Sequence, residues 1–145
     1  RKLHISGVIN NRLWVWGGYG EDADANERAL NDAWSTENGD YWRLESSSTA
    51  FPARCAGTGT MFNNRIWLAG GANGDPARLG PTYYNDVWAT ADGINWVQIL
   101  GNTAGDSTQF SPRVLHGAAV ASDKLFISGG ELPSYDLSNE VWSTP

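Results

Sequence analysis

The sequence predicts an all-β fold built from a tandem repeat, on three observations. Eight Trp and seventeen Gly against a single Met in 145 residues suit twisted strands and tight turns better than packed helices. A glycine pair ends an apolar run three times, at Leu13-Trp14-Val15-Trp16-Gly17-Gly18, Ile66-Trp67-Leu68-Ala69-Gly70-Gly71 and Leu125-Phe126-Ile127-Ser128-Gly129-Gly130. A second block follows each pair, Asn31-Asp32-Ala33-Trp34, Asn85-Asp86-Val87-Trp88 and Asn139-Glu140-Val141-Trp142, spaced 54 residues both times.

Each repeat reads as four short strands, A to D. Strand A alternates small and apolar residues, as in Gly117-Ala118-Ala119-Val120-Ala121, and strand B is the apolar run before the glycine pair, expected to be buried on both faces. The A to B connections, Asn10-Asn11, Asn63-Asn64 and Ser122-Asp123, favour the positive φ of type I′ hairpins. Strand C carries the Trp block, with Trp34, Trp88 and Trp142 as structural repeat positions beside Gly17, Gly18, Gly70, Gly71, Gly129 and Gly130. Strand D opens at Trp42 and Trp96 after turns at Asn38-Gly39 and Asp92-Gly93. Each unit opens near an Arg, namely Arg1, Arg54 or Arg113, three places before His4, Gly57 or His116. The units are residues 1–50, 51–109 and 110–145, the last lacking strand D, so that eleven of twelve strands are expected.

A four-stranded antiparallel meander of about fifty residues, repeated in tandem, describes the blades of a β-propeller. The double glycine followed in register by the later Trp resembles the kelch repeat over essentially the whole chain. That resemblance implies a segment of a six- or seven-bladed ring, completed by further blades of a longer chain or by a second copy in a homodimer. The absence of an initiator Met at Arg1 points the same way, to processing or to a piece of something longer.

Alternating strand directions send the B to C and D to A connections to one end, and these are long: Tyr19 to Leu30, Ala72 to Tyr84, Glu131 to Ser138, Glu45 to Ala53 and Leu100 to Pro112. The candidate binding residues on this face are Tyr19, Glu21, Asp22, Asp24, Arg28, Asn73, Asp75, Arg78, Tyr83, Glu131 and Tyr135. The kelch resemblance implies docking of a protein or peptide there. The alternatives are the propeller domain of a galactose-oxidase-like or sialidase-like carbohydrate-active enzyme, or an extracellular carbohydrate-binding propeller.

No complete catalytic constellation is visible. Three arginines recurring at one position resemble a sialidase arginine cluster less than a repeated structural contact. Ser35-Thr36-Glu37-Asn38-Gly39-Asp40-Tyr41-Trp42 resembles a degenerate Asp-box, a fold element of sialidase-like propellers, and residues 89–96 form a poorer copy. Cys55 stands where the other units have Lys2 and Val114, as expected of a packed thiol rather than half of a redox crosslink. His4 and His116 are expected to make structural hydrogen bonds, and Trp16 to pack locally rather than to line a carbohydrate surface. Asp22, Asp24 and Asn26 follow the Asp-x-Asp-x-Asn opening of a calcium loop without its Gly or distant Glu, so no cofactor is expected, with calcium at these residues as the alternative.

A net charge of -6 argues against a phosphate-binding surface, so nucleic acid and anionic membranes are poor partners. One Cys excludes an intrachain disulfide, and two His with it cannot make a zinc-finger site. With no apolar run of about 18 residues, no leader-like segment and no Asn-x-Ser/Thr sequon, a soluble chain of cytosol or secretion alike is expected.

Overall fold

The computed structural model describes every residue except Ala23, Leu79, Ala104 and Pro145. Ala23 of the candidate calcium loop, Leu79 and Ala104 of the long loops and Pro145 at the close of the third unit therefore lie outside the described residues. Eleven strands form three antiparallel sheets, with no helix among the described residues. The first sheet is β1 (Ile5–Ile9), β2 (Arg12–Glu21), β3 (Glu27–Thr36) and β4 (Arg43–Ser46) in sequence order. The second repeats it with β5 (Thr58–Phe62), β6 (Arg65–Ala72), β7 (Tyr83–Thr90) and β8 (Trp96–Leu100). The third has β9 (Gly117–Ala121), β10 (Lys124–Ser128) and β11 (Val141–Ser143). Among the described residues, no helix is long and apolar enough to cross a membrane.

The A to B hairpins adopt the expected turn: Asn10 and Asn11 have φ of 51° and 57°, Asn63 and Asn64 49° and 56°, Ser122 and Asp123 49° and 56°. Two successive left-handed residues match the right-handed twist of the flanking strands, which fixes the register. One expectation needs correction. The loop expected from Tyr19 to Leu30 is mostly strand, because β2 and β3 stay paired out to Glu21 and Glu27 and leave only 22–26 as a tip. With no Pro between Gly17 and Leu30 this hairpin stays paired, whereas Asn73-Gly74-Asp75-Pro76 follows the end of β6 at Ala72.

The first strands lie side by side, β1 against β5 and β5 against β9. Main-chain hydrogen bonds join the sheets there: Ala56 N–H donates to Leu3 C=O and Leu115 N–H to Ala56 C=O, both at 2.9 Å. A second link runs through the arginine main chain. Arg54 donates its N–H to Leu30 C=O (3.0 Å) and accepts from Gly18 N–H (2.8 Å); Arg113 does the same with Tyr84 (3.1 Å) and Gly71 (3.0 Å).

This close approach explains the glycine pair. Gly17 and Gly70 have φ of 54° and 60°, and a Cβ at either would lie 2.7 or 2.9 Å from the carbonyl of the following unit's arginine. The left-handed geometry and the missing side chain are thus required together. Both residues sit in register shifts, between Trp16 and Gly18 and between Ala69 and Gly71, which re-aim the strand after the pair.

The arginine side chains return to their own sheets. Arg54 Nη1 donates to Gly70 C=O (2.9 Å) and to Asp86 (2.6 Å), and its Nη2 to the other oxygen of Asp86 (2.8 Å). Trp88 Nε1 donates to the same carboxylate at 2.7 Å. Arg1, Asp32 and Trp34 repeat this set in the first sheet, as do Arg113, Glu140 and Trp142 in the third.

The cleft between the first two sheets is filled by Trp14, Trp16, Phe51, Ile66, Leu68 and Trp96. Trp16 is fully buried, stacks on Trp14 at 5.7 Å between centroids and donates its Nε1–H to Gly93 C=O at 2.8 Å, so its role is packing. Between the second and third sheets, His116 bonds Thr58 Oγ1 at 2.9 Å through Nε2, while its buried Nδ1 has no hydrogen-bond partner among the described residues. His4 departs from the expectation: it is exposed on the open flank of the first sheet and makes no side-chain hydrogen bond among those described.

Two predictions follow from burial. The Arg54–Asp86 pair is 0% and 2% exposed and the Arg1–Asp32 pair 25% and 16%. Asp86→Asn strands a buried guanidinium and should cost about 3–5 kcal/mol, whereas Asp32→Asn should cost about 1 kcal/mol or less; equilibrium urea unfolding of both variants measures the difference. Burial, then the Arg113 charge, lowers the His116 pKa from 6.5 to about 4. The unfolded chain therefore takes up the proton first, and stability should fall as pH drops from about 6.5 to about 4. In His116→Gln that segment of the pH–stability curve should flatten.

Candidate binding face

The B to C connections emerge at one end of all three sheets, and the side chains there interlock between units. Lys2 Nζ donates to Asp75 of the second unit at 2.7 Å and sits 5.3 Å over the Tyr19 ring. Arg78 reaches back to Glu27 of the first unit at 3.1 Å. Tyr83 Oη–H donates to Glu131 of the third unit at 2.8 Å. Beneath these contacts Tyr19, Cys55, Ala56, Ala72, Tyr83 and Val114 form one apolar cluster drawn from all three units.

Five of the expected residues, Tyr19, Asp75, Arg78, Tyr83 and Glu131, thus meet neighbours that organise the face, and several are less free than expected. Asp75 is buried, accepts from Ala77 N–H at 3.1 Å and has its carboxyl held low chiefly by the Lys2 hydrogen bond. Tyr19 and Tyr83 are buried too; desolvation, then Glu131, raises the Tyr83 hydroxyl well above its usual range. Asn73 closes its loop by accepting from Thr82 N–H at 2.7 Å and donating its own N–H to Thr82 C=O at 3.1 Å.

Asp22 accepts from the Asp24 and Asn26 N–H groups, both at 2.9 Å, and pairs with Arg28 at 2.9 Å. The Asn26 amide is the largest cause of its lowered pKa. The carboxylate that would open a calcium loop is thus engaged by a cation and two amides, and no group of three His, Cys, Asp or Glu among the described residues is placed to hold a metal ion. Glu21, Asp24, Arg28, Arg78 and Tyr135 are exposed, with Tyr135 on a separate turn in the third unit.

Two participants escaped the sequence reading, Lys2 and Glu27. Lys2 occupies the position of Cys55 and Val114, and a lysine at a position otherwise apolar was the available signal. With Arg1, Tyr19, Glu21 and Leu30, these two line an open depression of about 650 Å³.

The opposite end carries only tight turns. Thr36 and Thr90 accept from Gly39 and Gly93 N–H, both at 2.9 Å, and Asp92 accepts from Ile94 and Asn95 N–H. The Asp-box-like segments are therefore turn elements, remote from the loop face. Arg54 and Arg113 have fully buried side chains held by carboxylates, which leaves them no access to a ligand.

No protein-family model matches the chain. A Rho GTPase-activating protein of Dictyostelium discoideum, gacHH, is 29% identical over 132 residues, which are 90% of this chain and 8% of that protein. Among solved structures, YjhT superposes with a TM-score of 0.79 at 15% identity, over 99% of this chain and 48% of that one. The chain thus spans about half of YjhT and less than a tenth of the curated relative, and the likeness to YjhT is one of fold alone.

Cys55 is buried, its Sγ lying 3.1 Å from Gly74 C=O, and burial followed by the Asp75 charge pushes its pKa up to about 11. Native chain at pH 8 should react with a thiol reagent at least a hundredfold more slowly than urea-unfolded chain; comparable rates would show that the cluster under the loop face is open.

Proposed function

We propose that the three sheets are consecutive blades of a kelch-type β-propeller, and that the chain serves as a scaffold recognising a protein or peptide through its long-loop end. The observation that carries this reading is the interlocking of that end: Lys2–Asp75, Arg78–Glu27 and Tyr83–Glu131 each tie one unit's loop to another's. Side chains from three sheets then form one continuous polar surface with exposed Arg and Tyr side chains, groups that favour interfaces. The side-by-side first strands and the unit-to-unit main-chain bonds support the radial arrangement. Similarity to a segment making up 8% of a much longer protein fits a module carried within larger chains.

Arg28 and Arg78 are the most available donors, with side chains 65% and 66% exposed. A phage-displayed random peptide library selected on the immobilised chain supplies the probe. Arg28→Glu with Arg78→Glu should weaken selected peptides tenfold or more, about 1.4 kcal/mol, while Arg43→Glu at the opposite end should leave them unchanged. Affinity that survives replacement of 22–26, 73–78 and 131–138 together would remove the loop face as the binding surface.

A further inference from the structure

The joint between the first and second sheets and the joint between the second and third differ at one matched pair of positions. Thr58 opens β5 and His116 immediately precedes β9, and they meet across the second joint, Thr58 Oγ1 lying 2.9 Å from His116 Nε2. Under the repeat the corresponding pair at the first joint is Ile5 and Gly57, which offer no polar side chain. That place is closed by apolar packing, with Ile5 buried on the bare main chain of Gly59.

His116 is 5% exposed, and the groups around its ring suit the neutral form. From the second sheet, β5 presents Thr58, and β6 presents the Ala69 carbonyl and Gly70, where a Cβ would lie 2.8 Å from His116 Cε1. Behind Gly70, Arg54 is bonded to Asp86 and lies over the Tyr84 ring. From its own unit the Phe110 ring stands 6.4 Å away, and the buried Arg113 guanidinium is paired with Glu140. Among the described residues no carboxylate bonds the imidazole, and its buried Nδ1 has no hydrogen-bond partner. The Ala69 carbonyl favours the cation, but desolvation and the Arg113 charge outweigh it.

We infer that the joint between the second and third sheets is an acid-operated hinge: a proton taken up by His116 opens it, while the joint between the first two sheets stays closed. Opening admits water to the imidazolium and screens it from Arg113. Tyr83 and Glu131 cross the same boundary at the loop end, so the open hinge parts them, whatever the face binds. His116 holds its proton with a pKa of about 4 in the closed joint, against 6.5 for a solvated ring. The open form therefore gains as pH falls through 6.5, by up to about 300-fold in the opening equilibrium once pH reaches about 4. At the first joint the Lys2 hydrogen bond holds the Asp75 carboxyl low, so that tie keeps its charge through the same range.

Each joint carries its own main-chain reporter: Leu115 N–H donates to Ala56 C=O across the second, and Ala56 N–H to Leu3 C=O across the first. Residue-resolved amide exchange on the full chain, corrected for the intrinsic pH dependence of exchange, reads the two separately. Between about pH 6.5 and about pH 4.5, protection at Leu115 should fall more than tenfold while protection at Ala56 and in β6 stays unchanged. His116→Gln, which cannot take up the proton, should abolish the fall. No change at Leu115 overturns the inference, as does a loss of protection shared by Leu115, Ala56 and β6. A fall that persists in His116→Gln overturns it too; the other outcomes are read on the unsubstituted chain and do not depend on whether that variant folds.

Discussion

Arg54 and Arg113, which open the second and third units, each belong to two sheets at once. The main chain of Arg54 is hydrogen-bonded into the first sheet through Leu30 and Gly18, while its guanidinium is held in the second by Gly70 and Asp86. Buried ion pairs are not in themselves a source of stability, since desolvation offsets much of their attraction. Here the pair fixes geometry. A planar fork bound on three sides, with Trp88 capping the shared carboxylate, leaves the arginine one orientation, and that orientation sets how its sheet meets the one before.

The glycine pairs, the aromatic clefts and the loop face all follow from that constraint. Bringing the arginine carbonyl to Gly17 leaves no room for a Cβ, and the shift in register beside it lets β2 continue past the contact. Holding adjacent sheets at this separation opens a cleft of the width of an indole ring, filled by Trp14, Trp16 and Trp96 in one instance and only partly by Trp67 and Trp142 in the next. It also aligns the loop-bearing ends, so that Lys2 meets Asp75 and Tyr83 meets Glu131 across unit boundaries.

Strand order and turn type were legible in the sequence because they rest on local chemistry repeated three times: Asn-Asn hairpins, the apolar run before Gly-Gly and the Trp after Asn-Asp. The partners of the arginines were not, although their recurrence signalled a structural role, because the carboxylate lies 32 residues from Arg54 in the chain. The loop face was legible as a location and poorly as chemistry. Asp75 and Tyr83 read as surface groups from their polar surroundings, yet are buried by contacts from other units. Lys2 looked like a strand residue because its repeat equivalents are Cys55 and Val114, and only the three-dimensional juxtaposition shows that it neutralises Asp75.

The account depends on the sheets being joined by main-chain bonds rather than merely lying beside one another, and amide hydrogen exchange reads those bonds directly. The Ala56 and Leu115 amides lie outside the strands and, among the described residues, donate to no main-chain group but that of the neighbouring unit. If the sheets form one linked body, both should exchange as slowly as the amides of β6. Rapid exchange at Ala56 and Leu115 with β6 still protected would show that each sheet holds together alone, contradicting the arrangement that aligns the loop-bearing ends.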